Sequence, residues 1–501
     1  MPQGMDALNV ALQSIGVAAA VARARAAQLI WGTRSVQDRI AVLSRFRKQL
    51  FSRRHEVAAC ISRETGKPEA EAMLAEVLTT LDLIRFAERH ATGLLAPQRL
   101  RSSTLALWRK RITILREPYG VVGIISPWNY PLMLPAGHVV AALVTGNTVV
   151  LKPSELTPLT AELIGELLRA AGLPEGVLEI VQGAGDVGEA LVEGEVDKVF
   201  FTGSLATGRR VAARCGERLV PCTLELGGSD PAIVLDDADL AHAARGIAWG
   251  RFSNAGQTCV AAKRVYVLEA VHDAFVAALR AHVQRFHLHE PGDTSWDIGR
   301  MIHANALASL GSLRDEASGQ GARIEVLTGS ESHGVFPPTI ALDVPPSARI
   351  LHEETFGPLL PIVRVRDQDE AIASANASPF GLSASVWTRS RSRGHAIARR
   401  LQAGTVVLND VALIAGIAEV LHGGVKGSGH GRTHGIQGLE ECVLTKTIVA
   451  DWLPQVRQPW WFPYGAGLQR EVDGYARLAH GRSLRERLSG IGATLRLLAR
   501  R

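Results

Sequence analysis

Apolar residues return every three or four positions from Leu8 to about Gly93, as at Ile40, Leu43, Phe46 and Leu50, and predict a run of helices. Residues 104–118 alternate apolar and polar side chains instead and predict a strand-built hairpin arm. Short β-branched runs follow at 121–126, 148–152, 177–182 and 198–202, separated by helical segments such as 159–171. Strands alternating with helices predict an α/β chain with a parallel, doubly wound sheet, whose ligands bind beyond the carboxyl ends of the strands. A second series at 232–235, 264–268, 360–364, 383–388 and 405–409 predicts a second α/β unit. The stretch after His422 is glycine-rich and irregular, and 442–449 reads as a closing strand.

Composition narrows the class. The 501 residues are 47 % hydrophobic and 21 % charged, as in an ordinary globular chain, and the length suits about three structural units of ~150 residues. No run approaches the ~18 apolar residues of a membrane-spanning helix. The apolar stretch 10–22 has no Lys or Arg before it, only Arg23 and Arg25 after it, which argues against an export signal. Five cysteines without a C-x-x-C pair argue against a disulfide framework or zinc ribbon and fit a reducing, cytoplasmic setting. Of the net charge of +6, residues 451–501 supply +5, from nine arginines against four acids. The basic balance therefore belongs to a tail and does not mark a nucleic-acid-binding body.

Several segments carry chemistry. Gly183-Ala-Gly185-Asp-Val-Gly188 is a formal G-x-G-x-x-G between a strand and a helix, but the acid expected about 20 residues later is missing, so it reads equally as an ordinary tight turn. At 201–208 a strand ends and Gly203 and Ser204 open a helix that ends its motif at Gly208; this suits an anion, or a plain helix cap by Ser204. Glu225 stands among Leu224, Leu226, Gly227 and Gly228, as a general base with a raised pKa or as a solvated loop carboxylate. Cys259 closes the sequence Asn254-Ala-Gly256-Gln257-Thr258-Cys259 and makes a nucleophile where its pKa is lowered. Cys60, Cys215, Cys222 and Cys442 read as inert small hydrophobes. Asn129, between Pro127 and Pro131, is an oxyanion donor or the head of an Asx-turn. His287 and His289 have metal-pair spacing without further ligands, so no metal site is expected.

Taken together, PWNYP (127–131), NTVVLKPSE (147–155), FTGSLATG (201–208), LELGG (224–228), NAGQTC (254–259) and EETFGP (353–358) closely resemble the aldehyde dehydrogenase superfamily in order and spacing, including the 34 residues from Glu225 to Cys259. The resemblance runs from about Arg34 to Ala450. It implies that Cys259 attacks an aldehyde, that Asn129 and the Cys259 N–H hold the alkoxide, and that Glu225 activates water to hydrolyse a thioester. It implies a nicotinamide cofactor held by Lys152 and Glu155 at the adenosine ribose, Trp128 and Ser204 at the pyrophosphate, and Glu354 with Phe356 at the nicotinamide ribose. Gly203, Gly208 and Leu226 complete that set. A carboxylate at the ribose favours NAD over NADP. The implied organisation is an NAD-binding domain (1–103 and 121–226), a catalytic domain (227–425), an oligomerisation arm (104–120 and 436–450) supporting a homodimer or homotetramer, and a C-terminal extension (451–501). One departure stands out: the family often has Pro-Phe where this chain has Leu421-His422, near the substrate mouth.

In the tail, Trp460, Trp461, Phe462 and Tyr464 are four of the chain's 26 aromatic residues. Leu484, Leu488, Ile491, Leu495 and Leu498 then fall on one helical stripe flanked by arginines, with Gly490 and Gly492 weakening the helix. Such a segment attaches to an anionic membrane surface, making the enzyme peripheral at the inner face, or docks on the protein itself or a partner subunit. It is similar to the extensions of class 3 aldehyde dehydrogenases, some of which act on fatty or aromatic aldehydes, and a hydrophobic substrate is expected. The alternatives are a coenzyme A-acylating enzyme, disfavoured by the presence of Glu225, and a catalytically retired homologue, disfavoured by the survival of Cys259, Glu225 and Asn129.

Overall fold

The computed structural model describes residues 2–104, 107–412, 416–452, 458, 461–462 and 464–499, with side chains from residue 16 onward. They divide into two compact units, Met1–Leu94 with Pro118–Val443, and Leu95–Glu117 with Leu444–Arg501.

The first unit contains two largely parallel sheets. The six-stranded sheet is built from β3 (Val121–Ile125), β4 (Thr148–Lys152), β5 (Leu178–Ile180), β6 (Lys198–Thr202), β7 (Cys222–Glu225) and β15 (Gly429–His430), in the order β15-β7-β6-β3-β4-β5. Only the β15–β7 pair is antiparallel among them. Its strands bury both faces with period two, as a doubly wound sheet requires. Val122, Ile124, Val149, Leu151 and Phe200 pack with Leu43, Phe46, Leu50 and Ile61 of the N-terminal helices. Val121, Val150, Val199 and Phe201 face the other way, onto Val17, Val21, Val187 and Leu191. The register aligns the carboxyl ends: Ile125 opposes Lys152 and Phe201, and Thr202 opposes Glu225. Lys152 and Glu225, at strand ends, and Asn129 and Ser204, in the loops that follow β3 and β6, therefore lie along the carboxyl side of one sheet.

The seven-stranded sheet has the order β10-β11-β12-β9-β8-β13-β14, from β8 (Asp230–Val234), β9 (Ala262–Leu268), β10 (Arg323–Val326), β11 (Thr339–Leu342), β12 (Leu359–Val365), β13 (Ser383–Trp387) and β14 (Thr405–Leu408). The second strand series thus forms a sheet of its own, extended by β10 and β11, which the sequence pattern did not single out.

The N-terminal helices include one irregularity with consequences. After Gly66 (φ +81°) ends the helix Arg54–Thr65, the chain restarts and passes through a π-helical turn, Ala72–Leu78, before Thr79–Leu95. That turn aims Glu76 inward, where it meets Lys67 at 2.7 Å with both side chains fully buried.

The second unit holds β1 (Gln98–Arg101), β2 (Lys110–Pro118) and β16 (Val443–Asp451), with β2 in the centre. The expected hairpin over 104–118 is corrected here: β2 is one strand of it, and its partner β1 lies upstream. Gln-Arg-Leu-Arg at 98–101 is exposed throughout and carries no alternation to read. The tail forms helices Leu468–His480, Leu484–Ser489 and Ile491–Ala499. The expected stripe is split at Gly490, where the backbone packs against Gly474 too closely for a side chain. Leu484, Leu488, Ile491 and Leu495 are exposed, whereas Leu498 is half-buried. Trp461, Phe462 and Tyr464 are also exposed; Trp460, Arg457, Arg500 and Arg501 lie outside the described residues. Among the described residues, no helix is long and apolar enough to cross a membrane.

Candidate active site

Cys259 sits at the end of a tight turn. The helix Leu240–Phe252 is followed by Asn254, Ala255 and Gly256, all at positive φ (51°, 51° and 73°). Gly256 packs onto the backbone of Gly357, where a Cβ would overlap it. The thiol faces a cavity of about 300 Å³ lined by Tyr130, Met133, Leu134, Trp249, Thr258, Val260, His422 and His434, with Glu71, Leu74, Leu78 and Asp82 toward the helical side.

Asn129 is held beside this turn by a network that starts far upstream. Lys67 Nζ, which also donates to Glu76 Oε1, donates to the Asn129 carbonyl at 2.7 Å. Glu76 Oε2 accepts from the Leu132 N–H at 2.8 Å. Asn254 Nδ2 donates to the same Asn129 carbonyl, and Asn129 Nδ2 donates to the Gln257 carbonyl at 3.0 Å. An amide NH₂ has two hydrogens, so one remains for another acceptor. The sequence motifs singled out Asn129 but not the Lys67–Glu76 pair, whose partners lie nine residues apart on either side of the start of the π-helical turn.

Cys259 is not a ready thiolate. Burial pushes its thiol up to about 12; Lys263 opposes the shift, and the charges of Glu225, Asp230 and Glu354 add to it. The expectation of a lowered pKa is therefore corrected for the free protein: the site desolvates the sulfur and surrounds it with three carboxyl groups. Alkylation of Cys259 by iodoacetamide in cofactor-free protein is expected to speed up about tenfold per pH unit between pH 7 and 10, as the thiolate fraction rises. A plateau reached below pH 9, with the adduct located by peptide mass spectrometry, would contradict this.

Lys263 ties the two candidate carboxylate segments together. Its Nζ donates to Gly228 O (2.7 Å), Cys259 O (2.8 Å) and Glu354 Oε1 (2.8 Å), and the Gly228 N–H donates to the same Glu354 oxygen. A Cβ on Gly227 would overlap the Glu354 carboxylate, which explains the glycine pair after Leu226. Phe356 meets Trp128 edge to face at 5.7 Å.

Glu225, at the end of β7, lines a separate small cavity of about 20 Å³ with His138, Thr433 and His434. Thr433 donates its hydroxyl to Glu225 Oε1 at 2.7 Å, and His422 Nε2 lies 3.5 Å from Oε2. Neither Glu225 nor Asn129 lines the larger cavity; Leu134 and His434 form the wall common to both. His422, the departure noted in the sequence, thus faces the Glu225 carboxylate and the Cys259 cavity together.

Of the candidate cofactor residues, Lys152 and Glu155 form an ion pair at 3.1 Å. Ser204 caps the helix Leu205–Glu217 by accepting from the Thr207 N–H, and Gly208 leaves room for Leu226, whose side chain a Cβ would overlap. The helix at Gly185–Glu193 follows β5, with Gly183 at φ +148°. Cys60, Cys215 and Cys442 are buried; Cys222 is half-buried with Sγ 3.7 Å from His430 Nε2. His287 faces Asp293 and His289 packs on Trp296; among the described residues no group of three or more ligands is placed to hold a metal.

Residues 11–448 match the aldehyde dehydrogenase family. This chain belongs to the aldehyde dehydrogenase family. The enzyme is 36 % identical over 460 residues to a 4,4'-diapolycopene aldehyde oxidase of Methylomonas sp, covering 92 % of this chain and 86 % of that one. An NAD-dependent aldehyde dehydrogenase from Sinorhizobium meliloti has a crystal structure that matches with a TM-score of 0.85 and 36 % identity, over 90 % of this chain and 89 % of that one. The NADP-dependent glyceraldehyde-3-phosphate dehydrogenase of Bacillus halodurans, solved with NADP, matches with a TM-score of 0.84 and 37 % identity, over 88 % and 92 %. This aldehyde dehydrogenase accordingly has the α/β fold expected and depends on NAD or NADP. Relatives of similar identity are named for either nucleotide, so family membership does not carry the expected preference for NAD.

Proposed function

We propose that the enzyme oxidises uncharged, hydrophobic aldehydes, long-chain or aromatic, to carboxylic acids, with Cys259 as nucleophile, Asn129 as oxyanion donor and Glu225 as the base for hydrolysis. The observation that carries the substrate class is the cavity at Cys259. Its walls are mainly apolar, they include Glu71 and Asp82, and no lysine or arginine occurs among the described lining residues. An anionic aldehyde would meet carboxyl groups without a cationic counterpart, at a cost in desolvation and repulsion. The Methylomonas relative named for a polyene aldehyde agrees with this reading. A straight-chain and aromatic aldehyde series ranked by kcat/KM tests it: the expected order has octanal or benzaldehyde above succinic semialdehyde by at least about tenfold. The reverse order would overturn the substrate class.

The residues fit a nicotinamide cofactor. A helix N-terminus begins directly after β6, with Gly203 and Ser204 at its mouth, and its backbone N–H groups would suit a pyrophosphate. Trp128 and Phe356 form an aromatic corner, and Lys152 with Glu155 stand at the end of β4. When bound, the cofactor supplies the hydride acceptor. Glu155 pairs with Lys152 and so offsets the charge that a 2′-phosphate would need there. NAD is therefore proposed to be preferred, with a kcat/KM at least about tenfold above that with NADP, a difference of about 1.4 kcal/mol. Glu155→Gln narrows the ratio on this account; a wild-type ratio in favour of NADP would refute the preference.

The chain's own residues divide the remaining work. The Cys259 thiol gives up its proton to water in the cavity, Sγ bonds to the aldehyde carbon, and the C=O π pair moves onto oxygen. The alkoxide so formed is held by the free Asn129 amide hydrogen and the Cys259 N–H; one such donor is worth ~3 kcal/mol to the transition state. Lys263, bonded to the Cys259 carbonyl, fixes the turn that presents that N–H. After oxidation to the thioester, Glu225 removes a proton from water, the water oxygen bonds to the carbonyl carbon, and the C–S bond breaks.

The tail and arm extend the proposal. Leu484 and Leu488 on one helix and Ile491 and Leu495 on the next are exposed, with Arg482, Arg485 and Arg496 nearby in sequence, which supports attachment to an anionic lipid surface. The full chain is expected to co-sediment with phosphatidylglycerol vesicles and a 465–501 deletion is not; equal sedimentation of both would sink the membrane role. Leu444, Ile448 and Val449 lie exposed on β16, an edge strand, and support assembly into a homodimer or homotetramer.

A further inference from the structure

Hydrolysis of the thioester has a proton to dispose of. A thioester and water give a carboxylate, a thiol and one proton: of water's two protons, one ends on Sγ and the other must leave the site. Glu225 is 4 % exposed and cannot hand its proton to bulk solvent. Its Oε1 already accepts from Thr433, and its Oε2 faces His422 Nε2.

We infer that His422, stacked on His434, acts through Glu225 as a proton relay, taking at Nε2 the proton that Glu225 removes from water and releasing another from Nδ1 toward the Cys259 cavity. The inference rests on the reading of Glu225 as the base. The His422 and His434 rings stack at 5.6 Å between centroids and 28° between planes. Both Nδ1 atoms are buried, and among the described residues neither has a hydrogen-bond partner. Orphaned ring nitrogens are rare in protein interiors, and two in one stack point to a function other than packing. Their position is consistent with one: both rings line the Cys259 cavity, and His434 also lines the small cavity of Glu225, which is large enough for one water molecule.

The charges around His422 favour this traffic. It faces Glu225 on β7, His138 on the helix Met133–Val144, Thr433 and His434 on its own loop, and Cys259 and Glu71 across the cavity, with Lys198 of β6 behind His138. Burial lowers His138 to about 4, against the pull of Glu225, and holds His434 well below the usual imidazole range. Both stay neutral at pH 7, so neither places a positive charge beside the His422 ring.

The test separates the first turnover from the steady state. His422→Phe keeps a ring for the stack and His422→Gln keeps a polar group, but neither relays a proton. Both are expected to retain a burst of about one reduced cofactor per site, which reports a folded enzyme that still forms the thioester. Steady-state kcat is expected to fall by about 10²-fold, to climb with pH between 7 and 9 where the wild-type profile is flatter, and to recover in part with added imidazole. A kcat and pH profile superimposable on wild type would overturn the inference, as would loss of the burst in both variants. Glu225→Gln run in parallel locates the failure: if it alone loses turnover, only the relay falls, and if it keeps wild-type turnover, the base assignment falls and the relay with it.

Discussion

Cys259→Ser is expected to abolish reduction of NAD or NADP by aldehydes, with kcat/KM down by at least about 10³-fold. A serine hydroxyl has nearly the same size and can fill the same turn, so the fold and cofactor affinity should persist. What it lacks is acidity and leaving ability. In a pocket that already pushes a thiol up to about 12, an alkoxide is out of reach, and an oxygen ester would hydrolyse through a poorer leaving group. Progress curves at 340 nm over the aldehyde series, with cofactor binding followed separately, check this. Equal rates in variant and wild type would remove Cys259 from the reaction.

The second large effect falls on the other half of the cycle. Glu225→Gln is expected to leave thioester formation nearly intact and to slow its hydrolysis by about 10²–10⁴-fold, the usual range for loss of a general base. Glutamine preserves the contact with Thr433, since its side-chain carbonyl still accepts that hydroxyl. Removing a carboxylate that raises the Cys259 pKa should, if anything, favour the thiolate. Rapid mixing should therefore show a burst of about one reduced cofactor per site followed by a slow phase. A single slow phase without a burst would assign Glu225 to the first half-reaction instead.

Much of this was legible in the chain. Strand runs such as 148–152 and 198–202 coincide with β4 and β6 because a strand buried on both faces must be continuously apolar. β7 escaped notice because Cys-Thr-Leu-Glu is four residues long, and β10 because Arg-Ile-Glu-Val sits at a sheet edge with exposed ends. Cys259, Glu225 and Asn129 announced themselves through motifs around glycine and proline. Their supports did not, because the partners come from distant segments: Lys67 and Glu76 reach Asn129 through an irregular helix, and His138, His422 and His434 converge on Glu225 from two separate stretches. The protonation of Cys259 was not legible for the same reason. A pKa is set by burial and by charges on Lys263, Asp230 and Glu354, none of which a local motif contains.

The central claim, an acyl group carried on one sulfur, is tested most directly by trapping it. Glu225→Gln mixed with a hydrophobic aldehyde and NAD, quenched in acid within the burst and digested, should yield a Cys259 peptide heavier by the acyl group, in proportion to the burst. An unmodified Cys259 peptide alongside a full burst of reduced cofactor would contradict the account.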